Sequence, residues 1–152
     1  MPKRSAGVLL YRGHGAALEV LLVHPGGPFW ANRDDGAWTI PKGELLENEP
    51  LLTGAQREFL EETGHTVSGT FTPLGSVRLK SGKIVYAFCV EGDLDPATVR
   101  SNLFEAEWPP RSGKIRKFPE VDRAGFFGLE AARVKLHPGQ LPFLERLLSH
   151  LL

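Results

Sequence analysis

Gly43-Glu44-Leu45-Leu46-Glu47-Asn48-Glu49-Pro50, followed by Arg57-Glu58-Phe59-Leu60-Glu61-Glu62-Thr63-Gly64, is the stretch on which the reading of this chain turns. Pro50 suits the first turn of a helix and Gly64 the left-handed position just past its end, which predicts a helix over about Pro50 to Thr63. On it Glu58, Glu61 and Glu62 stand at i, i+3 and i+4, on one face and one turn apart. Like charges that close repel by roughly a few tenths of a kcal/mol per pair. A cation relieves that repulsion, and oxygen ligands in this number suit a hard divalent ion, Mg2+ or Mn2+, rather than zinc. Leu52, Ala55, Phe59 and Leu60 are expected on the opposite, packed arc. Gly54 inside the helix costs about 1 kcal/mol relative to alanine, which a close approach to a strand would explain.

Outward from the helix, hydrophobic runs predict strands over Ser5–Tyr11 and Leu18–His24, linked across Gly13 to Ala16. Pro25 to Gly36 is dense in turn-forming residues and longer than a connector needs, which points to a functional loop. A short strand is expected over Ala37–Ile40, ended by Pro41. Phe71–Leu79 and Lys83–Glu91 read as strands joined at Lys80-Ser81-Gly82. Asp95–Asn102 is expected as a short helix and Trp108–Pro119 as a loop carrying Arg111, Lys114, Arg116 and Lys117. Arg123–Gly128 reads as a strand, and Leu129–Val134 and Pro138–Leu152 as helices. Strands mixed with helices throughout indicate an α/β class.

The 152 residues are expected to form one domain, with 41% hydrophobic and 24% charged residues, as in a soluble globular protein. Eighteen basic against eighteen acidic residues give zero net charge, so no global case exists for nucleic-acid or membrane binding. No stretch approaches the roughly 20 apolar residues that span a bilayer. The apolar run after Met1-Pro2-Lys3-Arg4 is too short for a signal sequence, and a cytoplasmic location is expected. Cys89, the single cysteine, sits in an apolar run and is expected as a buried thiol. His14, His24, His137 and His150 form no zinc pattern, and no Gly-x-Ser-x-Gly nucleophile motif is present.

In register, Gly43, Glu49, Arg57, Glu58, Glu61, Glu62 and Gly64 resemble the Nudix signature, with Phe59 in its first apolar place. The one departure is His65, where the pattern has an aliphatic residue that Val67 is expected to replace. An acidic run is ordinarily a solvated helix face; this many matched positions argue otherwise. The resemblance implies an α/β/α sandwich around a mixed sheet and metal-dependent hydrolysis of a nucleoside diphosphate linked to another group. By position, Glu61 and Glu62 resemble the metal ligands, and Glu58 a ligand or the general base. The carbonyl of Lys42 or Gly43 is implied as a further ligand, and Arg57 resembles the arginine that orients the glutamates. Glu49 is expected to hold the loop. A distant carboxylate usually precedes a late strand with an aromatic end. Phe126-Phe127 resembles that end and Glu120 stands at the usual place, ahead of Asp122 and Glu105. Such a family contains both monomers and dimers.

Substrate features are softer. Trp38-Thr39-Ile40-Pro41-Lys42-Gly43 resembles the lead-in of diadenosine-polyphosphate and diphosphoinositol-polyphosphate hydrolases, and Arg4-Ser5-Ala6-Gly7 the start of asymmetric diadenosine tetraphosphate hydrolases. Trp108–Gly113 and the long loop before Trp38 resemble a prokaryotic branch of the family. Lys42 is a candidate phosphate contact, Arg111 and Lys114 candidate contacts to a polyphosphate tail, and Trp30 and Trp108 candidate stacking platforms for a base. The favoured substrate is a small nucleotide, a dinucleoside polyphosphate slightly ahead. Alternatives are MutT-type clearance of oxidised nucleoside triphosphates, a silent nucleotide-binding domain, and an inositol-pyrophosphate or RNA-cap hydrolase. Silent members commonly lose one of the three glutamates, all present here.

Overall fold

The computed structural model describes residues 2–152. Strand β1 (Arg4–Arg12) is a continuous apolar run because both of its faces are covered. Its side chains alternate between two cores. Leu9 and Tyr11 join Leu22, Trp38, Ile40, Phe143, Leu144 and Leu147 on one side. Ala6, Val8 and Leu10 join Leu21, Ala55, Phe59 and Phe88 on the other. The first core is closed by α2 (Leu129–Lys135) and α3 (Leu141–Leu151), the second by α1 (Leu51–Thr63). This is the expected α/β/α sandwich.

Around β1 stand β2 (Glu19–Pro25), β3 (Lys42–Glu44), β4 (Thr72–Arg78), β5 (Ile84–Glu91) and β8 (Val121–Gly128). The order is β4-β5-β1-β2-β8, with β3 also on β1. β1 runs parallel to β5 and antiparallel to β2 and β3, so the sheet is mixed. On one edge Ser5–Gly7 pairs with β3, while Tyr11 and Arg12 pair with β2. The gap between those partners lets the chain leave the sheet and return as the loop 25–36. Cys89 is buried, as expected. No helix among the described residues is long and apolar enough to cross a membrane.

Helix α1 begins after an extended Pro50 and ends at Gly64, whose φ of 75° is the left-handed cap. Its packed face holds Gly54, Ala55, Glu58, Phe59 and Thr63, so the expected segregation of carboxylates from the core holds only in part. Glu58 is buried and Leu60 exposed, because the sheet and β3 meet the helix on the Glu58 side. Gly54 faces no strand: an added Cβ would overlap the Leu45 side chain and crowd Glu49, so the glycine makes room for the loop ahead of the helix. Val67 packs into the α1 core in place of His65, whose ring bonds Thr98.

Three expectations are corrected. Ala37–Ile40 makes only isolated bridges, Thr39 to Val23 and Trp38 to Leu136. Asp95–Asn102 contains one 3-10 turn, Pro96–Thr98. The chain beyond it stays extended because Arg100 and Asn102 donate backbone N–H groups to the Thr63 and Glu61 carbonyls at the end of α1. The supposed loop 108–119 is half of a hairpin, β6 (Leu103–Glu107) with β7 (Ile115–Pro119). Arg116 and Lys117 are exposed on β7, with Lys117 opposite Glu105, while Arg111 and Lys114 lie in the turn before it.

Phe59 is 1% exposed and fills the space between α1 and the sheet. Phe59→Ala is expected to lower unfolding free energy by about 3–5 kcal/mol. Urea denaturation at unchanged m measures it; a loss below about 1 kcal/mol would contradict this packing.

Candidate active site

Arg57 organises the acidic end of α1. Its Nε and Nη2 donate to the two Glu49 oxygens at 2.8 and 3.0 Å, a bidentate fork. Nη1 donates to Glu58 at 2.7 Å and to both Glu61 oxygens at 3.2 Å, and Nη2 also reaches the Glu44 carbonyl at 2.9 Å. One guanidinium thus ties the loop, β3 and the helix together. The Arg57 hydrogen bonds hold Glu49 down to a pKa of about 2, and the Leu46 N–H adds to this. Arg57 itself is held firmly protonated.

Gly43 is set against Glu58 so closely that any Cβ would lie inside its carboxylate. The Lys42 N–H donates to Glu62 Oε1 at 3.0 Å. These contacts seat β3 against the helix and bring the Gly43 backbone into the same cavity as the carboxylates.

That cavity, of about 660 Å³, is walled by Glu58, Glu61, Glu62, Glu120, Lys42 and Gly43, with Trp30 and Trp108 among its aromatic residues. Of the candidate ligands, catalytic groups and substrate contacts, Arg57 reaches this wall through Glu58 and Glu61, while Arg4, Arg111 and Lys114 do not line the cavity. Arg4 sits at the start of β1 with its guanidinium 6.0 Å from the Tyr86 ring. The hairpin turns Arg111 and Lys114 to its exposed far end, where the Arg111 N–H donates to Glu107 and the Lys114 carbonyl accepts from Trp108. Of the three acidic residues weighed as a distant partner, only Glu120 lines the cavity; Asp122 bonds His24 and Glu105 faces Lys117 across the hairpin.

Sequence reasoning missed Lys83 and Phe104 and set Phe29 aside in favour of Trp30 and Trp108; all three also line the wall. Lys83 follows a turn and carried no motif; only the β4–β5 hairpin brings it beside Lys42. Gly27 admits Phe104, whose ring an added Cβ would strike at 2.8 Å.

The cavity holds a surplus of negative oxygen donors. Burial raises Glu62 to about 8, with Glu120 and Glu58 adding to the effect. Burial likewise raises Glu58, opposed by Arg57, and Glu120, assisted by the Glu61 charge. Lys42 is lowered, first by burial and then by Lys83. One arginine offsets this only in part, and an all-oxygen donor set of this charge fits a hard divalent ion. Among the described residues no three His, Cys, Asp or Glu side chains are already drawn into a ligating cluster. Glu58 and Glu61 are engaged by Arg57, and Glu62 by the Lys42 N–H.

The family model of the NUDIX domain matches residues 1–147: the chain belongs to the NUDIX family. It is 39% identical over 72 residues to the 8-oxo-(d)GTP phosphatase of Mycolicibacterium smegmatis, a match covering 41% of this chain and 20% of that protein. The chain thus spans about a fifth of that relative's length. The NUDIX domain of Shewanella oneidensis NrtR, solved with ADP ribose, superposes with a TM-score of 0.70 at 17% identity, covering 100% of this chain and 90% of that one. A Caenorhabditis elegans Ap4A hydrolase superposes at 0.64 and 20% identity over 96% of both chains.

Glu62 carries a testable signature in the metal-free protein. Its folded pKa lies above the unfolded value of 4.5, so the folded state binds the proton more tightly. Stability should therefore fall as pH rises from about 4.5 towards about 8. Glu62→Gln keeps an acceptor for Lys42 and removes the titration. In EDTA its melting temperature should exceed wild type by a margin that grows across that interval; a constant margin would contradict the raised pKa.

Proposed function

We propose that this chain is a metal-dependent pyrophosphohydrolase acting on a nucleoside polyphosphate through one NUDIX domain spanning residues 1–152. One observation carries the reading: a single cavity joins Glu58, Glu61, Glu62 and Glu120 to Lys42, Lys83 and the aromatic faces of Trp30 and Trp108. Carboxylates suit a divalent cation, lysines suit phosphate, and flat rings suit a base.

Divalent-metal use is general in the family, and Mg2+ or Mn2+ is the proposed ion here. It would be held by Glu62, Glu120, the Gly43 carbonyl and one of Glu58 and Glu61, with the ligating α1 glutamates giving up present hydrogen bonds. When bound, it withdraws charge from phosphate oxygens and makes a water acidic enough to attack. Glu58 or Glu61, whichever stays outside the ligand set, accepts the proton from that water. Arg57 positions these glutamates. Lys42 and Lys83 take the phosphates away from the bond that breaks, and Trp30 and Trp108 take the base.

Two aromatic walls on separate elements favour a dinucleoside polyphosphate. The relative named an 8-oxo-(d)GTP phosphatase supports a second reading, hydrolysis of an oxidised nucleoside triphosphate. Incubation with Mg2+ or Mn2+ and a panel of both classes, nucleotide sugars and inositol pyrophosphates, with products identified, separates the two. Release from no member would instead favour a silent nucleotide-binding domain. Glu61→Gln and Glu62→Gln are each expected to lower turnover by at least about 100-fold with circular dichroism unchanged. Near-normal turnover in either variant would remove it from the metal site.

A further inference from the structure

His24 is 0% exposed and lies outside the cavity wall, at the point where β2 gives way to the aromatic loop. Its Nδ1 stands 2.7 Å from Asp122 Oδ1, and its Nε2 stands 2.6 Å from the Arg33 carbonyl oxygen. The Arg33 carbonyl can only accept, so Nε2 carries the proton of that bond, while Nδ1 pairs with the Asp122 carboxyl. Around the ring lie Trp38, edge-on at 5.3 Å, and Arg123, 3.7 Å from Asp122. Asp34, next to Arg33, bonds the Trp38 indole and is paired with Lys135 of α2.

The two partners belong to different parts of the site. Arg33 is on the returning limb of the loop whose tip puts Phe29 and Trp30 into the cavity, and its guanidinium lies 4.4 Å from the Phe29 ring. Asp122 follows Glu120 by two residues, and the loop's outgoing limb is tied to Glu120 through the Gly26 N–H at 2.9 Å. Both limbs are therefore fastened to the segment that carries Glu120, one by a backbone bond and one by His24.

We infer that His24 and Asp122 are positioning residues. Bridging the Arg33 carbonyl and β8, His24 latches the aromatic loop over the cavity and sets where Phe29 and Trp30 meet the nucleoside. The effect on substrate rests on the hydrolase reading above; the latch itself does not.

Two variants separate the two bonds, since an Asn amide nitrogen reaches the place of Nδ1 and a Gln amide nitrogen that of Nε2. His24→Gln keeps the donor to the loop, and His24→Asn keeps the donor to Asp122 alone. The KM of H24N for the panel's best nucleotide is expected to exceed that of H24Q by about tenfold, with kcat differing less. A merely structural histidine would lower the active fraction in both and leave their KM values alike, which would overturn the proposal. The wild-type protein supplies the second arm, independent of activity and of variant folding. Long-range 1H–15N NMR should show a slowly exchanging Nε2–H on the one fully buried imidazole. A ring carrying its proton on Nδ1 alone would overturn the latch even if the enzyme is active; an Nε2–H on a protein that hydrolyses nothing would leave the latch standing and remove only the hydrolase reading.

Discussion

The Arg57 guanidinium is the constraint on which the site depends. Its five donors meet Glu49, Glu58, Glu61 and the Glu44 carbonyl at once. Without it, three glutamates one helical turn apart would repel each other at the edge of a low-dielectric core. With it, the repulsion becomes a preorganised acidic patch. The same fork fixes the loop ahead of the helix, and Gly54 is small enough to let that loop lie down. Helix, loop and β3 thus form one rigid unit, and the Gly43 backbone enters the cavity as part of it.

A second level of organisation comes from the sheet. β1 changes partner on one edge from β3 to β2, which opens the sheet for the loop 25–36. β8 closes the far edge beside β2 and delivers Glu120 to the cavity from the opposite direction. Lys42 and Lys83 share one cavity with the carboxylates and the aromatic residues, so both signs of charge and flat apolar faces line the same wall.

Much of this was legible in the residues. Helix α1, its glycine cap, the apolar run of β1 and the register of Glu58, Glu61 and Glu62 follow from local pattern, which survives in any context. The hairpin of β6 and β7 was not legible, because its strands are short and largely exposed, the first acidic and the second basic, and a long apolar pattern is the signal that identifies a strand. The missing helix at 95–102 failed for a tertiary reason: its backbone bonds the end of α1. Lys83 and His24 carried no pattern, since a lone lysine or histidine says nothing until its neighbours are known.

The sequence by itself determined the α/β class, the helix of glutamates and its arginine, and through the signature the family. These depend on spacing along one helix, where geometry is the same in every protein. Only the tertiary structure decided which carboxylate comes from afar, that Arg4, Arg111 and Lys114 stay outside the cavity, and that Glu58 is buried. It also decided that His24 joins the aromatic loop to the strand beside Glu120. Each of those is a meeting of segments tens of residues apart, set by how the sheet closes and how the loops pack across it, which no local pattern encodes.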